Sequence, residues 1–155
     1  MITRPVRITV VGAGDCDRAT ALIAERVGSE IARRGGVLIC GGLGGAMEAA
    51  ARGAKALGGL TIGVLPGTSA DDANPHIDVP IPTDMGHARN VINVRAADAV
   101  VGVGGSYGTV SEIALALKMG VPVVAIAPPL DSSDIVTADT PEAAVERAFE
   151  LAGAV

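Results

Sequence analysis

The sequence predicts a single doubly wound α/β domain that spans residues 1–155. Short runs rich in Val and Ile alternate with longer stretches of helical periodicity, which is the pattern of strands joined by helices. The runs are apolar at nearly every position, as in parallel strands that helices cover on both faces. Glycines cluster where several of these runs end. We therefore expect a Rossmann-like fold with a parallel sheet of six to seven strands.

The expected strands are, in order, "RITVVG" (7–12), "VLIC" (37–40), "TIGVL" (61–65), "IDVPI" (77–81), "AVVGV" (99–103) and "VPVVAIA" (121–127). Helices are expected at 17–34, 43–57, 87–97, 109–119 and 141–152. Thr140 as N-cap and Pro141 at the first helical position mark the start of the last helix. Residues 66–76 join two strands without an evident helix, and a loop of that length is functional or mobile. We expect the strand order 3-2-1-4-5-6.

Composition limits the class of partner. The net charge is −5 and no cluster of Lys or Arg stands out, which disfavours duplex nucleic acid. No apolar run reaches membrane-spanning length, and "ITVVGAGDC" is too short for a signal peptide. We therefore expect a cytoplasmic protein that binds neither nucleic acid nor membrane. Cys16 and Cys40 form no disulfide framework, and their spacing to His76 and His87 matches no zinc site, so no metal is expected and their role stays open.

Three glycine-rich turns follow the first, second and fifth expected strands. In such sheets ligands bind at the carboxyl ends of the strands. None of the turns contains the complete dinucleotide or P-loop motif. Their amides, the positive end of the next helix and the hydroxyls of Ser106 and Thr109 suit a phosphate ester of mononucleotide size. The alternative is that the glycines only allow helices to pack closely on strands.

Arg89 and Glu112 are expected to flank the same crevice, because the fourth and fifth strands are neighbours in the expected order. An arginine binds phosphate bidentately. Thr109 and Glu112 have the spacing of a capping box, but a carboxylate beside a bound ribose could also stabilise an oxocarbenium-like centre, and both roles are compatible. For Tyr107 three roles are open: stacking on a ligand ring, gating of the pocket, and a plain turn residue.

The segments "GSYGTVSE", "MGHARN" and "CGGLGGAME" together resemble the Lonely-guy (LOG) family and the related molybdenum-cofactor carrier proteins. The family pattern is P-G-G-x-G-T-x-x-E, preceded by M-x-x-R-K and by a second glycine motif. In an ungapped alignment the family arginine falls on Arg89 and the glutamate on Glu112. The resemblance covers about residues 37–127 and implies a Rossmann-like fold with a phosphate-ligand site. Several positions depart from the hydrolase pattern: Gly86, Asn90, Gly104 and Ser106 replace Met, Lys, Pro and Gly.

These departures favour the carrier-like group over the hydrolases. The leading hypothesis is a binding or carrier protein for a nucleotide-like or pterin-like phosphate ester, with the molybdenum cofactor or a nucleoside monophosphate as candidate ligand. The alternative is a phosphoribohydrolase that releases ribose 5-phosphate, with Arg89 and Glu112 as its catalytic residues. The expected binding residues are Gly12, Gly14, Gly41, Gly42, Gly45, Met47, Arg89, Gly104, Gly105, Ser106, Tyr107, Gly108, Thr109 and Glu112.

The helix after Thr109 also predicts a homodimer or higher homo-oligomer. On a helical wheel the stripe of Val110, Ile113, Ala114 and Leu117 should bury on the sheet. Leu115 and Met119 would then form an apolar ridge that needs a partner. The alternative is that the C-terminal helix, with Phe149 and Leu151, covers this face within one chain. The resembled family also implies a dimer.

Overall fold

The protein has the predicted α/β architecture, built on one parallel sheet of seven strands. The computed structural model describes residues 4–153. The strands are β1 (Arg7–Gly12), β2 (Val37–Cys40), β3 (Thr61–Leu65), β4 (Val79–Pro82), β5 (Ala99–Val103), β6 (Val123–Ile126) and β7 (Val136–Thr137). They lie in the order β4-β3-β2-β1-β5-β6-β7, and each neighbouring pair is parallel. Only β7, two residues long, has no counterpart among the six expected strands.

Helices cover both faces of the sheet. They are α1 (Arg18–Arg33), α2 (Ala46–Ala56), α3 (Arg89–Arg95), α4 (Tyr107–Lys118) and α5 (Pro141–Gly153). The helices α1, α2 and α5 pack on one face, in the cluster that contains Ile8, Leu38 and Val101. The helices α3 and α4 pack on the other face, in the second core cluster, which contains Val11, Val100 and Ile113. This two-sided cover explains why the strands are apolar at nearly every position.

The predicted strand order 3-2-1-4-5-6 is wrong, because the fourth strand lies at the sheet edge beside β3 and not beside β1. The segment 66–76 holds only a 3-10 turn, Ala70–Asp72, so the chain after β3 has no helix to carry it across the sheet. Asn74 ties this loop down, since its backbone N–H donates to the Gly42 carbonyl at 2.9 Å. The two prolines of β4, "VPIP", lack N–H groups and suit an edge strand.

The helices α1 and α2 pack in backbone contact through two glycines. A Cβ added at Gly28 would lie 1.9 Å from the Ala50 carbonyl oxygen, and one at Gly53 would lie 1.9 Å from the Glu25 carbonyl oxygen. Any other residue at either position would push the helices apart. Because α2 begins at the second glycine turn, this contact also fixes one wall of the candidate site.

The predicted buried stripe of α4 is wrong, because a different side of the helix faces the sheet. The buried residues of this helix are Thr109, Glu112, Ile113 and Ala116. In contrast, Ala114 is exposed. Leu115 and Met119 are half-buried and pack against the protein's own second core cluster, so they form no free ridge.

The C-terminal helix does not cover Leu115 and Met119 either, because it lies on the opposite face of the sheet. Leu130 and Ile135, from the segment between β6 and β7, belong to the same cluster as Leu115 and Met119. The homodimer therefore stays a prediction that needs another surface. Across residues 4–153, no helix combines the length and the apolar character needed to cross a bilayer.

Candidate functional site

The first two glycine turns are packed against each other at the carboxyl ends of β1 and β2. The Ala46 N–H donates to the Ala13 carbonyl at 3.0 Å. A Cβ at Gly45 would lie 2.3 Å from that same carbonyl oxygen, and one at Gly12 would lie 2.6 Å from the Ala46 Cβ. These glycines thus have a packing role. Gly42 has one as well, because its φ is +78° and a Cβ there would lie 2.7 Å from Leu65.

Gly41 is different, because its open side faces functional groups. A Cβ at Gly41 would lie 2.7 Å from Nη2 of Arg89 and 2.7 Å from Sδ of Met47. The missing side chain therefore leaves room for the guanidinium under the second glycine turn. The structure brings together three residues that the sequence predicted for the site: Gly41, Met47 and Arg89.

Arg89 is a buried cation at the first position of α3. Its residue exposure is 9%, and its Nη1 donates to Oδ1 of Asn90. Its Nε is buried and has no hydrogen-bond partner, and Arg89 forms no salt bridge with any residue in 4–153. A buried charge without a direct ion-pair partner is costly. The site is therefore suited to an anion.

Glu112 is also buried, at 7% exposure, and its Oε2 accepts a hydrogen bond from Nδ2 of Asn93 at 2.6 Å. Burial raises the pKa of this carboxyl, while the Asn93 hydrogen bond and the positive charge of Arg89 oppose the rise. Arg89 and Glu112 thus lie in one electrostatic environment. They share it although the predicted strand order was wrong, because α3, which follows the edge strand β4, packs against α4.

The capping-box interpretation of Glu112 is wrong. The helix α4 begins at Tyr107, two residues earlier than expected, and its N-cap is Ser106. The residue at the third helical position is therefore Thr109, whose Oγ1 accepts from the Ser106 N–H at 3.3 Å. Glu112 lies one turn further into the helix, where it faces α3 and has no capping role.

Two asparagines and a serine complete the site, and the sequence analysis did not assign them. Asn90 is buried, and its Nδ2 donates to Oγ of Ser111 at 3.3 Å. Asn93 is 1% exposed, and its Oδ1 has no partner. The sequence signal was available in "RNVINVR", where helical spacing places Arg89, Asn90 and Asn93 on one face. That polar face is buried, whereas Val91 and Ile92 are exposed, so the usual amphipathic pattern is reversed.

Cys40 lies directly below the second glycine turn. It is fully buried, and its Sγ accepts from the Gly42 N–H at 3.4 Å. Burial raises the pKa of the Cys40 thiol to about 12, so the thiol stays protonated and supports the turn. Burial and the neighbouring Asp17 and Asp15 raise the pKa of Cys16. Among the described residues, no three His, Cys, Asp or Glu side chains converge as a metal site would require.

The third glycine turn is open to solvent. Gly104 and Gly105 have φ values of +53° and +124°, which favour glycine. A Cβ at Gly105 would lie 2.4 Å from the Thr109 side chain, whereas one at Gly108 would meet nothing within 4 Å. Tyr107 is 94% exposed. The amides of Tyr107 and Gly108, which have no acceptor within the helix, thus belong to exposed residues beside an exposed ring.

A separate open cleft of about 590 Å³ lies between β7 and α5. Its lining includes Thr137, Asp139, Thr140 and Arg147. None of its lining residues belongs to a glycine turn or to the group formed by Arg89, Asn90, Asn93, Ser111 and Glu112, here called the arginine cluster. We therefore place the candidate site at the glycine turns, where the buried unpaired groups are.

The fold and the site define an α/β protein with a Rossmann-like sheet and a buried arginine beneath its glycine turns. The chain belongs to the SLOG cluster4 family, within the LOG-like Rossmann superfamily, and the family model matches residues 5–152. The resemblance read from the three motifs is thereby confirmed.

Individual relatives are similar over nearly the whole chain. One is an uncharacterised protein of Archaeoglobus fulgidus, 54% identical over 140 residues, which cover 90% of this chain and 92% of that protein. The molybdenum cofactor binding protein of the phototrophic bacterium Rippkaea orientalis is 35% identical, with 97% of this chain and 99% of that chain covered and a TM-score of 0.90. The molybdenum cofactor carrier protein of Chlamydomonas reinhardtii is 34% identical, with the same coverage and a TM-score of 0.87.

Proposed function

We propose that this protein binds a small phosphorylated molecule, nucleotide-like or pterin-like, and acts as a carrier for it. The observation that carries the proposal is Arg89, a buried guanidinium with an unpaired Nε and no acidic partner at salt-bridge distance within residues 4–153. A ligand anion would supply the direct ion-pair partner that Arg89 lacks. The similarity to proteins that bind or carry the molybdenum cofactor supports a cofactor of that class as cargo.

The proposed site has three parts. Arg89 holds the phosphate below the turn of Gly41, with Met47 alongside. The exposed turn from Gly104 to Gly108 adds free backbone amides at the positive end of α4, where Ser106 and Thr109 also lie. Gly12, Gly42 and Gly45 shape these turns through packing, and Gly14 is exposed at the rim. In this arrangement the chain supplies amides, hydroxyls and one cation for the anion.

The first experiment compares phosphate binding by the wild type and two arginine variants. Arg89→Ala should abolish the binding of ribose 5-phosphate measured by calorimetry, because no other cation in the cluster replaces it. Arg95→Ala is the matched control, since Arg95 is an exposed arginine on the same helix. Mass spectrometry of molecules released from freshly purified wild type identifies the natural ligand. If Arg89→Ala binds as tightly as the wild type, the proposed site is wrong.

The second candidate function is a phosphoribohydrolase, which the shared environment of Arg89 and Glu112 favours. Such an enzyme would release ribose 5-phosphate from nucleoside 5′-monophosphates, and Glu112→Gln would stop turnover while binding persists. The carrier proposal expects no release by either protein. An assay of free base and ribose 5-phosphate over a panel of purine and cytokinin monophosphates decides between them. Turnover by the wild type that Glu112→Gln loses would replace the carrier by the enzyme.

A homodimer is proposed through a different surface from the one first predicted. Val79 and Ile81 on β4 and Val91 and Ile92 on α3 are apolar and 38–43% exposed. The first pair lies on the sheet face that α3 covers only in part, since Val79 and Ile81 pair with Ile62 and Val64 of that face. A second copy related by a two-fold axis would bury the same patch from both sides.

Light scattering tests the dimer. The wild type should be dimeric at micromolar concentration, and Ile81→Lys should be a folded monomer. Leu22→Lys is the control, because Leu22 is an exposed apolar residue on α1, away from this patch. A monomeric wild type, or an Ile81→Lys variant that stays dimeric, would show that this patch is not the interface.

A further inference from the structure

Tyr107 is an exposed aromatic residue in a chain that has almost none. The sequence contains one Tyr, one Phe and no Trp. Tyr107 is 94% exposed, so its ring adds nothing to the core. The other aromatic ring, Phe149, packs against the first core cluster and lies 6.0 Å from the guanidinium of Arg34. The position of Tyr107 therefore calls for an explanation other than packing.

The ring stands on the face of α4 that borders the arginine cluster. Tyr107 is the first residue of α4, and Ser111 lies one turn further along the same face. Ser111 accepts a hydrogen bond from Asn90, and Asn90 in turn accepts one from Arg89. Because side chains on a helix tilt toward its N-terminus, we expect the exposed Tyr107 ring to project beyond the first turn, on the side of the third glycine turn.

The space around the ring is open. Gly105, Ser106 and Gly108 are exposed, and a Cβ at Gly108 would meet no atom within 4 Å. The free amides of the first turn of α4 lie next to the ring. A ligand whose phosphate bound both those amides and Arg89 would have its remaining part beside Tyr107.

We propose that Tyr107 is the stacking platform for a planar heterocycle in the ligand, and that it makes the site selective for ring-bearing phosphate esters over simple phosphosugars. This inference rests on the proposed function, in which Arg89 and the glycine turns hold the phosphate. A ring stacked on an aromatic side chain contributes about five- to hundredfold in affinity. Tyr107 is therefore a specificity-determining residue, and Arg89 provides affinity that the ring-bearing and ring-free ligands share.

Proton NMR tests the stacking directly, because Tyr107 is the only tyrosine and its ring signals are unambiguous. The wild type is titrated with guanosine 5′-monophosphate, neopterin monophosphate and ribose 5-phosphate. A ring-bearing ligand should shift the Tyr107 ring protons upfield through its ring current and leave those of Phe149 unchanged. Ribose 5-phosphate should bind without that shift.

Variants separate the inference from the proposed function. Tyr107→Ala should weaken the binding of the ring-bearing ligand about tenfold or more and leave ribose 5-phosphate unaffected, whereas Tyr107→Phe should retain both. Leu57→Ala is the control, an exposed residue at the end of α2. Arg89-dependent binding of a heterocyclic phosphate without a Tyr107 shift, or with full affinity in Tyr107→Ala, would overturn the stacking role and leave the phosphate site standing. If none of the three ligands binds, both the stacking role and the proposed function are wrong.

Discussion

Gly28→Ala should destabilise the protein, although alanine is the better helix former. In an exposed helix interior, replacing Gly by Ala stabilises by about 1 kcal/mol. Here the new Cβ would lie 1.9 Å from the carbonyl oxygen of Ala50, 2.7 Å from its carbonyl carbon and 3.1 Å from its Cα. All three atoms belong to the backbone of α2, so no side-chain rotation relieves the overlap.

The size of the effect follows from that overlap. A carbon and an oxygen in ordinary contact are about 3.3 Å apart. The added Cβ at 1.9 Å is well inside that distance, so α1 and α2 must separate by about an ångström or more. Overpacking of this kind costs about 1–3 kcal/mol or more, and the upper end applies because backbone must move. After the gain in helix propensity is subtracted, we expect a net loss of about 2 kcal/mol in the free energy of unfolding.

Urea denaturation followed by far-ultraviolet circular dichroism measures the difference. Gly53→Ala should behave alike, since its Cβ would lie 1.9 Å from the Glu25 carbonyl oxygen. Gly153→Ala is the matched control, because it lies at the end of α5 with nothing within 4 Å, and it should be neutral or slightly stabilising. A Gly28→Ala protein as stable as the wild type would refute the close backbone contact between α1 and α2.

Three further predictions concern the site and the opposite end of the sheet. Gly41→Ala should displace the Arg89 guanidinium, because its Nη2 would be 2.7 Å from the new Cβ. The variant should bind ribose 5-phosphate more weakly in calorimetry and lose little stability, and unchanged affinity would contradict this. Burial, opposed by its hydrogen bond and by Arg89, raises the pKa of Glu112. The wild type should therefore lose stability relative to Glu112→Gln as the pH rises above about 4, in denaturation measured from pH 4 to 8. Hydrogen bonds from Arg4 and Arg7, partly opposed by burial, hold the pKa of Asp98 well below its usual range. Asp98→Asn should therefore destabilise the protein at pH 7. The stability difference between wild type and variant should shrink as the pH falls below about 4. Equal wild-type and variant stability across the pH range would rule out the last two effects.

The fold class and most element positions were predictable because they depend on local patterns. The strand β1 at Arg7–Gly12 and the helix α5 from Pro141 were placed to the residue at their starts. Thr140 caps α5 as expected, with its Oγ1 accepting from the Ala143 N–H at 3.1 Å. A parallel strand that is buried on both faces is apolar at nearly every position, and a helix start is marked by its N-cap and the next one or two residues. Both patterns can be recognised in the sequence.

The sequence brought out some residues of the candidate site but not their arrangement. Arg89, Gly41 and Met47 were chosen from motifs, and the structure places the Arg89 and Met47 side chains beside Gly41. Glu112 was assigned partly to a capping box because the expected helix began two residues late. Asn93 was not assigned at all, because a buried amide on a short helix matches no motif until its partner, Glu112, is known.

The sequence by itself determined the alternation of strands and helices, the glycine turns and the family pattern that includes Arg89. These features are local in the chain, so each can be read from a few neighbouring residues. Only the tertiary structure decided that β4 lies at the edge, that α3 turns its polar face inward, and that Leu115 and Met119 are covered by the segment before β7. The physical reason is that these outcomes depend on which surfaces compete for burial. That competition is between residues far apart in sequence, and no local pattern records its result.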